Sequence, residues 1–453
     1  MQNNDTITVG LVSLGCPKNV VDLQIMCGTI LVEGIELSAD PDSADVILVN
    51  TCAFIEDARN EADTEIRRAC ELKAAGQARF VIVSGCLPQR YGKALAKKYP
   101  DVDAWLGIDH LFDLPEIIFN LVEKGSAEKA VVRVSDCRNT LYDPPLPEFV
   151  LSGGPHAYLK IAEGCSHACA YCAIPAIRGK LRSRLVNDIV REAKKLLAAG
   201  YRELVIVGQD ITAYGRDLED GTTLAALLKK LDRIKGDFWI RLLYGYPTYV
   251  TDELLQVIAS SKHICRYFDI PIQHSHPEVL KKMRRADTVK NVASLPTRLR
   301  EASPEMAIRT TCMVGFPGET DEHFNEMLDY VEKAKFDQLG VFCFSSEEGT
   351  AAAKMDSAVP PSIAEKHRDR LMRAQQKIVA SKLKSYIGQR LKVILIAPAD
   401  SKNTWRARTE FQAPHIDGET FVVNVGKNAV SGDFVDVIVT DFDEYDLIAE
   451  VAK

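Results

Sequence analysis

Half of the twelve cysteines in this 453-residue chain fall into two groups whose spacing suits metal–thiolate chemistry. Three lie in one short segment, Gly164-Cys165-Ser166-His167-Ala168-Cys169-Ala170-Tyr171-Cys172. The others, Cys16, Cys52 and Cys86, each stand where an apolar run ends near the N-terminus. Each group offers three thiolates. A structural metal site normally closes its coordination sphere with four protein ligands, whereas three leave a position open for something else. The C-x-x-x-C-x-aromatic-C segment is short enough to wrap one corner of an iron–sulfur cubane and give a thiolate to three of its irons. Zinc is the competing reading. It needs a fourth ligand, and His167 is the one candidate inside the loop, cramped between Cys165 and Cys169.

The elements around these cysteines explain how they could meet. Thr8–Leu14, Val46–Asn50 and Phe80–Ser84 read as strands, followed by helical patterns over Lys18–Val32, Glu56–Ala75 and Gln89–Tyr99. Such alternation predicts βαβ units around a parallel sheet over residues 6–125. Cys16, Cys52 and Cys86 each lie just past a strand end, about one repeat apart, so they should converge at the edge where ligands bind in open parallel sheets. A stretch from Asp143-Pro144-Pro145-Leu146-Pro147 to Gly153-Gly154-Pro155 reads as a linker, placed over 126–154.

A second alternating series fills 155–387. Its strands are expected at Tyr158–Ile161, Glu203–Val207, Trp239–Leu243, Tyr267–Ile270, Ala307–Val314 and Gln338–Phe344. Six strands with intervening helices make a partial, TIM-like (β/α)6 barrel with its chemistry at the strands' carboxyl ends. The cysteine triplet follows the first strand, as that architecture requires. Pro360-Pro361 precedes a charged helix to about Tyr386, with Gly388 as its stop. The segment 388–453 has short β-rich runs and Gly turns, the pattern of a small β-barrel. The fold class is therefore α/β multidomain.

Net charge is −7, which argues against a general nucleic-acid coat while allowing a local basic groove. The polar start, Met1 to Thr6, lacks a signal-peptide pattern, and no apolar run is long enough to span a bilayer. A reducing, cytoplasmic compartment follows as an expectation, where clustered cysteines are metal ligands or catalysts more often than disulfides.

At this point several runs taken together resemble a known family. Ser13-Leu14-Gly15-Cys16-Pro17-Lys18-Asn19, Val49-Asn50-Thr51-Cys52, Gly85-Cys86, the Cys165 triplet, Cys172-Ala173-Ile174-Pro175 with Arg178-Gly179, and Gly315-Phe316-Pro317-Gly318-Glu319 are similar to the radical S-adenosylmethionine methylthiotransferases, over essentially the whole chain. The resemblance implies an N-terminal cluster domain, a radical barrel and a terminal barrel of the TRAM type. It further implies two 4Fe–4S clusters, one on Cys165, Cys169 and Cys172 that binds S-adenosylmethionine, and an auxiliary one on Cys16, Cys52 and Cys86 that carries sulfur. One molecule of S-adenosylmethionine would methylate that sulfur, and a second would yield the radical that activates the substrate carbon. Both clusters must then serve one atom, which places the cluster domain over the barrel mouth. An electron donor is a required partner.

That family has two branches. Pro17-Lys18, the Gln273-His274 pair before Val279–Arg285, and Glu347-Glu348 resemble the branch that modifies an aspartate on the twelfth protein of the small ribosomal subunit. The alternative is the branch acting on adenosine in transfer RNA; a non-radical iron–sulfur carrier is a remote third reading. Charge points the same way. Leu391–Lys453 holds six Lys or Arg against eleven Asp or Glu, which repels phosphate and attracts a basic ribosomal protein; an incidentally acidic surface is the bland reading.

Within the barrel, Tyr171, Gly208, Gln209, Asp210, Arg241 and Gln273 are expected to bind cofactor: Gly208-Gln209-Asp210 resembles the family's segment near the methionine amino group, and Arg241 and Gln273 lie on or just after barrel strands. Some have a plainer reading. Asp210 suits a helix N-cap, and Arg241 an ordinary salt bridge. His274 reads as a hydrogen-bonded structural histidine. Arg178, Lys180, Arg182 and Arg184 either offset cluster charge, bind substrate, or form a solvated basic face. Trp405, Phe411 and Phe421 read as barrel core. Cys27, Cys70, Cys137, Cys265, Cys312 and Cys343 share no spacing and read as small hydrophobes or incidental thiols. No catalytic acid or base is singled out.

Overall fold

The computed structural model describes residues 6–125, 129–135, 150–401 and 403–452. They form two compact units. One is drawn from the chain up to Ser152 together with Glu163–His167 and Cys172–Arg182; the other takes Gly153–Ala162, Ala168–Tyr171 and the chain from Ser183 on.

The first unit is built on a six-stranded parallel sheet in the order β2-β1-β3-β4-β5-β6. The strands are β1 Thr8–Ser13, β2 Glu36–Leu37, β3 Val46–Thr51, β4 Phe80–Gly85, β5 Ala104–Leu106 and β6 Val131–Arg133. All residues of β3 and β4 are buried, as central parallel strands covered on both faces must be. The Pro17–Val32 helix starts directly after Cys16, because proline at the first helical position has no amide hydrogen to leave unsatisfied. Glu56–Ala74 buries only Ala62, Ile66 and Ala69, one face of a helix.

Two expectations change here. The helix foreseen over Gln89–Tyr99 is two, Cys86–Tyr91 and Lys93–Lys98, broken at Gly92 with φ 53°. The span foreseen as linker contributes the edge strand β6, which pairs with β5. Three-residue strands give too little alternation to be read from sequence. Asp143–Pro147 of that linker and Cys137 lie outside the described residues.

The second unit holds a six-stranded parallel sheet of His156–Lys160, Glu203–Val207, Trp239–Leu242, Ile264–Asp269, Ala307–Val314 and Gln338–Cys343, neighbours in space in chain order. These follow the predicted strands closely, except that the fourth begins at Ile264 rather than Tyr267. Pro361–Tyr386 is one 26-residue helix, opened by Pro361. The C-terminal part is a closed five-stranded barrel of Arg390–Pro398, Thr404–Thr409, Thr420–Val423, Phe434–Asp443 and Asp446–Val451. Its core is Val393, Leu395, Ala407, Val422, Val437 and Ala449. Trp405, Phe411 and Phe421 are half-buried rather than fully buried as expected. Trp405 packs against the barrel core, and Phe411 stacks on Tyr386 at 5.6 Å. Among the described residues no helix is long and apolar enough to cross a membrane.

Candidate metal centres

Cys16, Cys52 and Cys86 follow β1, β3 and β4, three adjacent strands, and Asn19 ties their loops together. Its Oδ1 accepts from the Cys16 thiol at 3.8 Å and the Cys86 thiol at 3.7 Å. Its Nδ2 donates to the Leu14 carbonyl (3.3 Å) and the Thr51 carbonyl (2.9 Å), the residues just before the Cys16 and Cys52 loops. Asn50 Nδ2 in turn donates to the Asn19 carbonyl at 2.7 Å. Glycine makes the closeness possible. A Cβ on Gly15 (φ 93°) would stand 2.8 Å from Cys52 Cβ, and one on Gly85 (φ 97°) 2.6 Å from Asn50 Oδ1. Both positions demand the left-handed freedom that only glycine has without strain.

The electrostatics differ among the three thiols. Burial opposes ionisation of Cys16, but Lys18 and Arg178 outweigh it and the pKa is lowered. Cys16 also occupies the N-cap position of a 16-residue helix, where thiolate is favoured, though its side chain makes no capping hydrogen bond. Burial raises Cys52, and pushes Cys86 to about 12 despite Arg178 beside it. A thiol held this way is a poor free nucleophile, and becomes an anion when a cation is bound.

Arg178 is the second finding. It lies six positions beyond Cys172, at the end of the Ile174–Arg178 helix, whose Ile177 and preceding Ala173 are buried in the core of the first unit. Its side chain is 2% exposed. Nη1 donates to both Glu163 carboxylate oxygens at 3.0 and 3.1 Å. Nη2 meets Asn19 Oδ1 and Asp22 Oδ2 at 2.8 Å each, and Cys86 Sγ at 3.3 Å. The basic run after the triplet is thus largely not a solvated face. Arg184 is buried, donating to the Lys160 carbonyl (2.7 Å) and paired with Glu192 (2.6 Å). Arg182 donates to the Arg178 and Lys180 carbonyls. Lys180 alone is exposed.

The triplet divides between the units: Cys165 and Cys172 belong to the first, Cys169 to the second. In the first, the Cys165 amide donates to the Gly179 carbonyl (3.0 Å) and Leu181 to Ser166 Oγ (3.1 Å). In the second, Ala170 bridges backbones, donating to Met283 (2.9 Å) and accepting from Ala352 (2.8 Å). Tyr171 packs among Ala170, Val279, Met283 and Phe316. Arg285 reaches Cys169 Sγ at 3.7 Å, donates to the Pro271 carbonyl (3.0 Å) and lies over the Tyr246 ring at 4.3 Å. Among the described residues no three His, Cys, Asp or Glu side chains are drawn closely enough to hold a single metal ion. A cubane takes its thiolates on separate irons and accepts a wider spread.

The carboxyl edge of the barrel sheet carries most of the other expected residues. Gly208, Gln209 and Asp210 follow Glu203–Val207. Asp210 Oδ1 accepts from the Thr212 amide (2.9 Å), the Thr212 hydroxyl (2.6 Å) and the Ala213 amide (3.3 Å), so it is the N-cap of the Ile211–Ala213 turn. Gln273 has φ 71°; its amide donates to the Thr311 carbonyl and its carbonyl accepts from Met313. Tyr244, just past the Trp239–Leu242 strand, has φ 67°. Left-handed non-glycine residues cost energy and concentrate at ligand-holding edges. His274 is fully buried, its Nδ1 accepting from the His276 amide at 2.9 Å. Burial, then the His276 and His323 charges, hold its pKa down to about 3. Its Nε2 stands 3.7 Å from Glu319, whose carboxylate also meets the Gly315 amide and His367.

Arg241 is the one expected cofactor residue set elsewhere. It sits on a strand opposite Val205, and its guanidinium is engaged by Glu203 at 2.6 Å and by the Glu410 and Thr409 carbonyls. Glu203 also takes Arg408 at 2.5 Å. Glu203 opens its strand, so this network lies toward the amino end, where it ties the parallel sheet to the C-terminal barrel. The salt-bridge reading is the one formed.

Asn19, Asp22, Glu163, Arg285 and Glu319 were not picked out from sequence. Asn19 and Asp22 are three apart on a helix and so share a face, a usable signal. Nothing local marks Glu163 or Arg285. Cys27, Cys265 and Cys312 are buried, with Cys27 and Cys312 pushed by burial to about 12; Cys70 and Cys343 are half-buried.

Comparison with known proteins bears on these sites. The Radical SAM superfamily matches residues 159–331, Uncharacterized protein family UPF0004 residues 8–107, and the TRAM domain residues 387–452. The chain is 42% identical over 454 residues, all of both chains, to the ribosomal protein uS12 methylthiotransferase RimO of Trichlorobacter lovleyi. The RimO of Geobacter sulfurreducens is 42% identical over 98% of each chain, and that of Syntrophus aciditrophicus 43% over 98% of each. Among solved structures, the radical S-adenosylmethionine methyltransferase TsrM of Kitasatospora setae aligns with a TM-score of 0.56 at 16% identity, over 74% of this chain and 73% of that one. The fold is shared.

Proposed function

The chain belongs to the RimO family of ribosomal protein uS12 methylthiotransferases, and we propose that it places a methylthio group on the β-carbon of an aspartate of uS12. The observation that carries this reading is identity of 42% along the entire length of a uS12 methylthiotransferase. The relatives named above are uS12 methylthiotransferases, which favours this branch over the transfer RNA one. The cofactors are S-adenosylmethionine and 4Fe–4S clusters. When bound, they supply one-electron cleavage of S-adenosylmethionine at the barrel and sulfur delivery at the N-terminal site.

The chain's own residues have separate tasks in this reading. Cys165, Cys169 and Cys172 hold the barrel cluster; Cys16, Cys52 and Cys86 hold the auxiliary one. Three soft thiolate donors per set suit iron–sulfur binding. The lowered pKa of Cys16 supplies one ligand readily, and Asn19 orients the set. At the barrel edge Gly208, Gln209 and the Gln273 side chain offer polar groups to S-adenosylmethionine, the Gln273 backbone being held by Thr311 and Met313, and Asp210 fixes the turn that presents Gly208 and Gln209. Tyr171 anchors its end of the cysteine loop. His274 stays neutral near neutral pH and adds no charge there. The acidic C-terminal barrel favours encounter with a basic ribosomal protein, in the cytoplasm.

The test is anaerobic incubation of the reconstituted protein with S-adenosylmethionine, a low-potential electron donor, and either uS12 or transfer RNA. A mass gain of one methylthio group on a uS12 aspartate is expected. Gain on the RNA alone, or on neither, overturns the reading.

A further inference from the structure

We infer that Arg178 is a positioning residue for the auxiliary cluster, holding a fixed N–H donor and positive charge against its Cys86 ligand from the segment that continues the barrel cysteine loop. The inference rests on the assignment of Cys16, Cys52 and Cys86 to that cluster. It deepens the assignment by adding a group that sets the cluster's redox behaviour.

The contacts single this arginine out. Glu163 takes both Nη1 hydrogens and Asp22 one of the two on Nη2. The second Nη2 hydrogen faces Cys86 Sγ at 3.3 Å and Asn19 Oδ1 at 2.8 Å, the atom that also touches the Cys16 thiol. The carboxylates serve to aim the fork, since a planar guanidinium gripped on two sides cannot rotate its remaining N–H away. Ile177, fully buried in the core of the same unit, fixes the helix that carries it. Hydrogen bonds to ligand sulfur and nearby positive charge both stabilise the more negative, reduced state of a cluster and raise its reduction potential. Burial keeps the effect from being screened.

The experiment uses the full chain with Cys165, Cys169 and Cys172 replaced by Ala, so that one reconstituted cluster is read by iron content and by electron paramagnetic resonance during redox titration. Arg178→Gln is expected to lower the midpoint potential, shifting the oxidised-to-reduced ratio at fixed potential at least tenfold, about 59 mV for a one-electron couple. Arg178→Lys, which keeps a cation for the two carboxylates but loses the fork, is expected to shift it less and in the same direction. It guards against the Gln variant failing to fold around unpaired carboxylates. Unchanged potential in a cluster-bearing Gln or Lys variant overturns the inference, as does a Lys variant that loses thermal stability while its potential stays put. If the Arg178 parent itself binds no cluster, it is the assignment of Cys16, Cys52 and Cys86 that falls.

Discussion

Cys16, Cys52 and Cys86 come from three strand ends of one sheet, each a whole βαβ unit from the next; Cys165, Cys169 and Cys172 are neighbours on one loop. The first set exists only when β1, β3 and β4 are paired in register and Asn19 bridges their loops. The second is written into local sequence, yet its members are divided between two compact units. One arginine stands against each: Arg178 at 3.3 Å from Cys86 and Arg285 at 3.7 Å from Cys169. Cysteine sets of similar composition can thus be assembled by long-range topology or by a short motif, and the two should fail in different ways.

The largest effects come from removing a ligand. Cys16→Ala and Cys165→Ala should each abolish methylthio transfer while retaining one cluster's iron, measured by iron and sulfide analysis. Equal loss of all iron in both would erase the contrast. Next is Gly85→Ala, which puts a Cβ 2.6 Å from Asn50 Oδ1 and 2.7 Å from the Thr51 carbonyl at φ 97°. A cost of about 1–3 kcal/mol in urea unfolding is expected, with loss of the N-terminal iron and none of the triplet's.

A third test sharpens the difference between Arg178 and another buried arginine, Arg241. Burial opposes ionisation of Glu203, but Arg408 and Arg241 outweigh it and bring its pKa from 4.5 to about 2. The unfolded chain therefore takes up this proton first as pH falls. Stability from the network is complete above about pH 4.5 and is lost on the way down to about 2, on the order of 3 kcal/mol. Acid titration of unfolding should show this limb in wild type. Arg241→Met should reduce it and leave both cluster potentials unchanged. The smallest effect belongs to exposed Lys180. Lys180→Ala should change stability by less than about 0.5 kcal/mol and leave iron content alone, in contrast to Arg178 two positions earlier.

Much of this was legible in the chain because both signals are periodic or local. Val46–Thr51 and Phe80–Gly85 announce themselves as apolar runs bounded by Cys52 and Cys86, and the triplet is a contiguous motif. What escaped depended on distance along the chain. Arg178 and Lys180 look alike in sequence; only packing of Ile177 into the first unit buries one and leaves the other in water. Arg241 was misplaced because a strand's residue types do not say how far along the barrel axis a side chain sits. Asp210 was ambiguous because an acidic residue after a strand serves equally as cap or ligand. Of the small barrel's aromatics, Trp405 packs against the core while Phe411 stacks on Tyr386 of the preceding helix, a partner 25 positions away that its residue type does not reveal.

The borrowed segment Cys172–Arg182 also bears on biosynthesis. Arg178 follows the end of β6, the last strand of the N-terminal sheet, by 45 positions, so at roughly 5–20 residues/s of elongation the nascent sheet waits roughly 2–9 s for its plug. During that interval Asp22 lacks its guanidinium and the cavity meant for Ile177 stands empty. An N-terminal fragment ending at Ser152 should therefore emerge as a loosened, aggregation-prone species, and metal loading of its thiols is best timed after the barrel's first loop has been synthesised.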